Sequence, residues 1–96
     1  MNGSVANVKT HNAGSYLRKL CQHWSHRFPV EYTSEHGTIE LPQATCVLEA
    51  SPEALTIRLH LQEGADEAHL RQVVEEHICR FAFREELIFA WTPVLA

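Results

Sequence analysis

The sequence has few of the residues from which phosphate-binding loops and disulfide frameworks are built. Its 96 residues include four scattered glycines, at Gly3, Gly14, Gly37 and Gly64. Neither a GxGxxG nor a GxxxxGK[ST] pattern can be written, so phosphate-cradling loops of those two kinds are excluded. The three cysteines, Cys21, Cys46 and Cys79, are odd in number, and their spacing suits neither a disulfide framework nor a CxxC site. We expect reduced thiols, partly buried.

Long apolar runs and an excess of basic residues are also lacking. No run approaches the roughly 18 apolar residues of a membrane-spanning helix, and the amino-terminal residues MNGSVANVKTHNAGS contain no apolar segment of a secretion signal. We therefore expect a cytoplasmic protein with no membrane partner. The 8 Lys and Arg residues against 12 Asp and Glu give a formal net charge of -4. Such a chain is repelled on average by nucleic acid, so no nucleic-acid partner is expected.

Two segments carry apolar residues at the spacing of one helical face. The first is predicted from Ala13 to Phe28, because Thr10 or Asn12 can cap it and Pro29 ends it. The second is predicted from 66 to 83, with acidic residues in its first turn. Its inward stripe comprises Leu70, Val73, Val74, His77, Ile78 and Phe81.

The other segments alternate apolar and polar residues with the period of two that is typical of strands. A weak strand is predicted at 4–9, followed by strands near 30–33, 38–41 and 45–50, with a turn at 35–37. The clearest strand places Leu55, Ile57, Leu59 and Leu61 on one face. The last, at 87–91, is apolar on both faces and is predicted to lie inside the sheet. These elements predict one α+β domain over residues 4–92, a mostly antiparallel sheet with two helices packed on one face in the order β-α-β-β-β-β-α-β.

Two stretches resemble a known family. They are YLRKLCQHWSHRF from Tyr16, with the following PVEY, and HICRFAFRE from His77. Together with Gly37 and Leu41-Pro42, they resemble the small bacterial family called domain of unknown function 2218, over residues 5–91. The resemblance implies a short bacterial cytoplasmic protein with no assigned activity. It also implies an association with siderophore-interacting flavin reductases, and so with iron handling. Residues 10–13 lack the proline that the family leads us to expect at the first helical position.

A candidate metal site lies on the first predicted helix. Cys21, His23 and His26 spell CxHxxH, but Cys21 and His23 point about 160° apart on a helix and cannot share an ion. His23 and His26 are neighbours at i and i+3. They could offer two imidazoles to a transition-metal ion, with His11 or a distant carboxylate completing the shell. The alternative is two solvated histidines on a basic helix face.

A candidate ligand cleft lies on the second predicted helix. His77 falls in its apolar stripe, beside Arg80 and Arg84, and the three together could hold an anionic ligand. The alternative is a core histidine with a fixed hydrogen-bond partner, and two arginines paired with Glu76 and Glu85.

The sheet face that no helix covers is predicted to be polar. It carries Glu31, Thr38, Glu40, Glu49, Thr56, Arg58, His60 and Gln62. Mixed charge of this kind usually forms a solvated surface, and the alternative is a docking face for a second copy of the chain.

No motif for catalysis is present, because GxSxG and HExxH are absent. The sequence therefore favours a bacterial accessory domain that binds a small ligand, a metal ion or a protein, with a link to iron or siderophore metabolism. A homodimeric interaction protein is the first alternative, and a small enzyme is the second.

Overall fold

A six-stranded antiparallel sheet and two helices make up the structure, a computed structural model that describes residues 2–95. The strands are β1 (Asn2–Lys9), β2 (Val30–Tyr32), β3 (His36–Leu41), β4 (Ala44–Ala50), β5 (Ala54–Leu61) and β6 (Trp91–Leu95), and the helices are α1 (Ala13–Trp24) and α2 (Glu67–Phe81). In the sheet the strands lie in the order β2-β3-β4-β5-β1-β6. The predicted fold class and element order are confirmed. Within residues 2–95, neither helix is long and apolar enough to cross a membrane.

The core lies between the two helices and one face of the sheet. The inward residues of β5 are Leu55, Ile57, Leu59 and Leu61, and all four are buried, as the alternation predicted. Burial of each such side chain stabilises the fold by about 1.5–3 kcal/mol. On α1 the buried side includes Leu17, Leu20 and Cys21, and on α2 it includes Val74 and Ile78. These apolar faces fix both helices on the same side of the sheet.

Strand β1 is an inner strand rather than the weak one that the sequence predicted. It pairs with β5 on one side and with β6 on the other. Its inward residues are Ser4, Ala6 and Val8, all buried. The prediction rested on Val5 and Val8, which lie on opposite faces of the strand. Two of the true inward positions hold the polar Ser4 and the small Ala6, so the apolar alternation could not be recognised in the sequence.

Ser4 is buried because α2 supplies its polar partners. Its hydroxyl donates to Glu67 Oε2 at 2.7 Å and accepts from Arg71 Nη2 at 2.8 Å. Farther along the helix, Trp91 of β6 donates its indole N–H to Glu75 Oε2 at 2.7 Å. These bonds join α2 to β1 and β6. Among the side chains of residues 3–94, no buried polar atom lacks a hydrogen-bond partner.

The carboxyl end of α1 differs from the prediction. The helix ends at Trp24 rather than Phe28, and a turn in which Phe28 N–H donates to Trp24 O at 2.9 Å leads into Pro29. The apolar spacing continued to Phe28 because that side chain still packs on the core from the turn. At the other end, Asn12 makes no side-chain cap bond, and the hydroxyl of Thr10 accepts from Asn12 N–H.

The segment 87–91 was predicted as a strand inside the sheet, and this prediction is wrong. Strand β6 begins at Trp91 and is an edge strand, paired only with β1 within the described chain. Leu87 and Phe89 pack against the core from an irregular segment, whereas Ile88 is 77% exposed. The alternation of buried and exposed residues in this segment therefore arises from packing on one side, without the hydrogen-bonded pairing of a strand. Pro93, which has no N–H to donate, is tolerated in β6 because that strand lies at the edge.

The reversal between β2 and β3 lies earlier than predicted. Thr33 N–H donates to His36 O at 2.7 Å across the turn. Gly37, predicted to be in the turn, is a buried position in β3, opposite Tyr32 on one side and Leu48 on the other. A glycine in this strand is explained by close contact with α1.

Candidate functional site

A cavity of about 310 Å³ opens between the end of α1, the turn joining β3 to β4, and one face of α2. We call it the helix–hairpin cavity. It is lined by Trp24, Arg27, Phe28, Leu41, Pro42, Gln43, His69, Leu70, Val73 and His77. A mostly apolar wall with a few polar groups is the usual composition of a small-molecule site.

Aromatic rings form part of the wall. Trp24 is 3% exposed, and the ring of Phe28 meets it edge to face with centroids 6.2 Å apart. The centre of the His77 ring lies 5.0 Å from the centre of the Trp24 ring. The bulk of Trp24 at the end of α1 therefore orders both neighbours, and the turn after α1 places Phe28 at the cavity.

His77 has a defined tautomer. Its Nδ1 lies 2.7 Å from the carbonyl oxygen of Val73, one turn earlier in α2. Because a carbonyl can only accept, Nδ1 carries the hydrogen, and in the neutral ring Nε2 is the acceptor. The sequence alternative of a histidine with a fixed hydrogen-bond partner matches this geometry, yet the side chain is only half-buried and lines the cavity.

Arg27 is the cation of the cavity. Its guanidinium carbon lies 5.9 Å from the centre of the Phe28 ring, and the residue is exposed. In residues 2–95 the salt bridges are Arg58 with Glu49 and Arg71 with Glu67. Arg27 therefore has no carboxylate partner in that part of the chain, and its donors are available to an anion.

The structure brings only one residue of the predicted ligand cleft to this cavity. His77 lines it, but Arg80 and Arg84 do not. Both arginines are exposed, and Arg84 lies over the ring of Phe83, 5.5 Å from its centre. The cleft that combines all three residues stays a prediction. Sequence reasoning missed Arg27 as a cavity residue because the helix was expected to continue past it.

The predicted metal pair has a different setting from the one assumed. His26 lies in the turn after α1 rather than within the helix. The ring of His23 instead approaches His77 of α2, with centroids 5.5 Å apart. Across residues 2–95, no group of three or more His, Cys, Asp or Glu side chains is placed to hold a metal ion. Metal binding by His23 and His26 stays a prediction.

A second polar cluster surrounds Glu85, which follows α2. Its Oε2 accepts from the Thr10 hydroxyl at 2.9 Å, from the Asn12 side-chain amide at 2.8 Å, and from the Tyr16 hydroxyl. Hydrogen bonds from Tyr16 and Asn12 hold the pKa of Glu85 below its ordinary value. Burial and the bond to Glu85 raise the pKa of Tyr16. No local sequence pattern could have found this cluster, because its donors lie about 70 residues from Glu85.

The family can now be stated from two comparisons. The family model described as "Uncharacterized protein conserved in bacteria (DUF2218)" matches residues 5–92. The chain belongs to this family. It is also similar to PA4090 from Pseudomonas aeruginosa, solved by NMR, with 37% identity, 96% of each chain covered and a TM-score of 0.79. Among curated proteins, none matches the chain. The resemblance stated from the sequence is confirmed, and the DUF2218 description names no activity.

The thiols of this DUF2218 domain are not set up as nucleophiles. All three are free, with Cys21 and Cys46 buried and Cys79 exposed. Burial raises the pKa of Cys21 to about 11 and that of Cys46 to about 12, and it also raises the pKa of Cys79. A thiol with a raised pKa is protonated near neutral pH and reacts poorly.

The uncovered sheet face of the DUF2218 domain is polar in its centre, as predicted. Arg58 Nε lies 3.1 Å from Glu49 Oε1, and both side chains are about half exposed. An exposed pair of this kind contributes little to stability. Docking of a second copy on this face stays a prediction. Light scattering over a concentration series tests it by measuring the molar mass of the protein in solution.

Proposed function

We propose that this protein is a bacterial, non-catalytic binding domain that takes a small aromatic carboxylate into the helix–hairpin cavity. The observation that carries the proposal is Arg27, an arginine without a carboxylate partner in residues 2–95, at a cavity whose other walls are largely apolar. An amphipathic anion satisfies both features at once, because its body is apolar and its charge matches the guanidinium.

The size and the lining of the cavity favour a ligand of one or two rings. The volume of about 310 Å³ lies at the lower end of the roughly 300–1,000 Å³ of small-molecule sites. The half-buried ring of Phe28, packed on the buried Trp24, can contact an aromatic body, and Leu70 and Val73 close the side formed by α2. Contacts between aromatic rings contribute about 0.5–1.5 kcal/mol each beyond the buried area.

The polar groups favour a hydroxylated aromatic acid. The planar guanidinium of Arg27 can bind both oxygens of a carboxylate. With Nδ1 of His77 bonded to the Val73 carbonyl, the neutral ring can accept at Nε2 from a phenolic hydroxyl. A catechol carboxylate, of the kind that chelates ferric iron, offers all three features.

This ligand class is consistent with the link to iron or siderophore metabolism that the family resemblance implies, and that link is part of the proposal. We place the domain in the cytoplasm for a chemical reason. Cys79 is a free, exposed thiol, and such thiols persist in reducing compartments.

The test is a calorimetric and NMR titration with three probes: 2,3-dihydroxybenzoate, its uncharged isostere 2,3-dihydroxybenzamide, and acetate. We expect the acid to bind and to shift amide resonances of α1, α2 and the β3–β4 turn. The amide should bind about tenfold more weakly, because the charge-assisted bond to Arg27 is lost. Acetate, which lacks the aromatic body, should not bind at millimolar concentration.

Arg27→Ala should reduce affinity for the acid to that of the amide, and it should leave affinity for the amide unchanged. The matched control is Arg18→Ala, which removes an exposed arginine from α1 that does not line the cavity. Equal losses in the two variants, or resonance shifts on a different face of the protein, would contradict the proposal.

A further inference from the structure

Two histidine rings from different helices meet at the outer edge of the α1–α2 contact. His23 is in the last turn of α1 and His77 is in the third turn of α2, and their ring centroids are 5.5 Å apart. An ion bonded to one nitrogen of each ring at about 2.0–2.1 Å holds the ring centres roughly 4.5–5.5 Å apart, depending on the angle at the ion. The observed separation lies at the upper end of that range.

The His77 ring is already oriented as a ligand. Metal-bound imidazoles usually donate their second N–H to a carbonyl or carboxylate, which fixes the tautomer and the ring direction. His77 makes this bond to the Val73 carbonyl through Nδ1, which leaves Nε2 as the ligating nitrogen. The neighbouring Trp24 ring, 5.0 Å away, restrains the imidazole further.

His23 is the more exposed member of the pair. It is exposed, and its only neighbouring rings in the described chain are those of His77 and Phe81. Its imidazole can therefore rotate toward an ion at little cost, and water can fill the remaining coordination positions. Two imidazoles with water select a borderline transition-metal ion rather than Mg²⁺ or Ca²⁺.

We propose that His23 and His77 bind a divalent transition-metal ion of the Zn²⁺ or Ni²⁺ class between α1 and α2. This site goes beyond the proposed aromatic ligand, because it needs no organic molecule. It uses the same Nε2 of His77 that the phenolic hydroxyl would reach in the helix–hairpin cavity, so Zn²⁺ and the aromatic acid should compete for that nitrogen.

The experiment titrates chelator-treated protein, purified without a histidine tag, with Zn²⁺ alone. We expect one saturable site by calorimetry, shifts of the His23 and His77 ring protons by NMR, and a higher melting temperature, because the ion binds the folded state. Mg²⁺ should give none of these signals.

His23→Ala and His77→Phe should each lower the affinity for Zn²⁺ by about tenfold or more. The phenylalanine keeps a ring against Trp24, so His77→Phe tests ligation with the packing retained. The matched controls are His26→Ala, which removes the histidine in the turn, and Cys79→Ser, which removes the exposed thiol, and both should bind as the unmodified protein does.

Three results would overturn the site. They are the absence of saturable binding up to about 100 μM Zn²⁺, loss of binding in His26→Ala with binding retained in His77→Phe, and loss in Cys79→Ser. The second result would establish the His23 and His26 pair instead. Because Zn²⁺ is the only added component, failure here leaves the aromatic acid proposal to be decided by its own titration.

Discussion

Gly37→Ala should lower the free energy of unfolding by about 1–3 kcal/mol, although it adds only one methyl group. A Cβ atom at this position would lie 2.7 Å from Cys21 Sγ, with Leu17 Cδ2 at 3.5 Å on another side. The side chains of Cys21 and Leu17 are both fully buried, so neither can rotate away without disturbing the residues packed around it. Overpacking of this kind costs about 1–3 kcal/mol, whereas an uncrowded strand glycine gains about 0.5–1 kcal/mol on becoming alanine. Urea unfolding measures the difference.

A double-mutant cycle identifies the clash as the cause. Cys21→Ala removes the Sγ atom that the new methyl group would meet, so the double variant should lose at least about 1 kcal/mol less than the sum of the two single variants. Gly64→Ala is the control. Gly64 has a φ of 84° and no atom within 4 Å of an added Cβ, so its cost is backbone strain and should add to that of Cys21→Ala. Additivity at Gly37 would contradict the packing explanation.

The sequence was sufficient to predict an element where a regular apolar spacing coincides with burial on one side of that element. Strand β5 alternates without interruption from Leu55 to Leu61, and each apolar residue in it is buried under the helices. The stripe of α2 was also predicted, although the helix begins at Glu67 and ends at Phe81 rather than running from 66 to 83. Asp66, expected in the first turn, is instead the cap, and its side chain accepts from His69 N–H at 3.1 Å. In both cases burial on one side of a regular element is recorded directly in the spacing of apolar residues.

Prediction failed where a partner in space decides the structure. Leu87 and Phe89 alternate like a strand but pair with no strand within residues 2–95, and Trp91 begins β6 because β1 offers its free edge there. Phe28 extended the apolar stripe beyond the end of α1 for a similar reason, since packing from a turn leaves the same signal as packing from a helix.

In the candidate site, too, residues that follow a local sequence pattern could be predicted, and contacts that depend on tertiary packing could not. His77 was singled out from the sequence because a histidine in an apolar stripe is unusual, and it does line the cavity. Arg27 could not be identified as its partner, because the two residues are brought together by the packing of α1 against α2. The ring contact between His23 and His77 also depends on that packing, which no spacing within one helix reports.

Glu85 joins the start of α1 to the segment after α2, and Glu85→Gln should therefore destabilise the protein at neutral pH. The carboxylate accepts three hydrogen bonds, from Tyr16, Asn12 and Thr10. Bonds to a charged acceptor are stronger than bonds to an amide oxygen, so the substitution should cost about 1–3 kcal/mol at pH 7. Glu86→Gln, which changes the exposed neighbour, should leave the free energy of unfolding nearly unchanged.

Because of the same bonds, the contribution of Glu85 to the free energy of unfolding should decrease as the pH falls. Hydrogen bonds from Tyr16 and then Asn12 lower its pKa in the folded protein below the ordinary value of 4.5, so the unfolded chain takes up the proton first as the pH falls. The stabilisation is thus fully present above about pH 4.5 and is lost as the pH falls through the lower folded pKa. Urea unfolding between pH 7 and pH 3 should show the unmodified protein and Glu85→Gln converging in stability at the acid end, because a protonated carboxyl is as neutral as the amide.

Tyr16→Phe removes the largest cause of the lowered pKa of Glu85, so the loss of stability in this variant should also become smaller toward acid pH. A difference between the unmodified protein and Glu85→Gln that stays constant over this range would mean that the charge of Glu85 does not anchor α1.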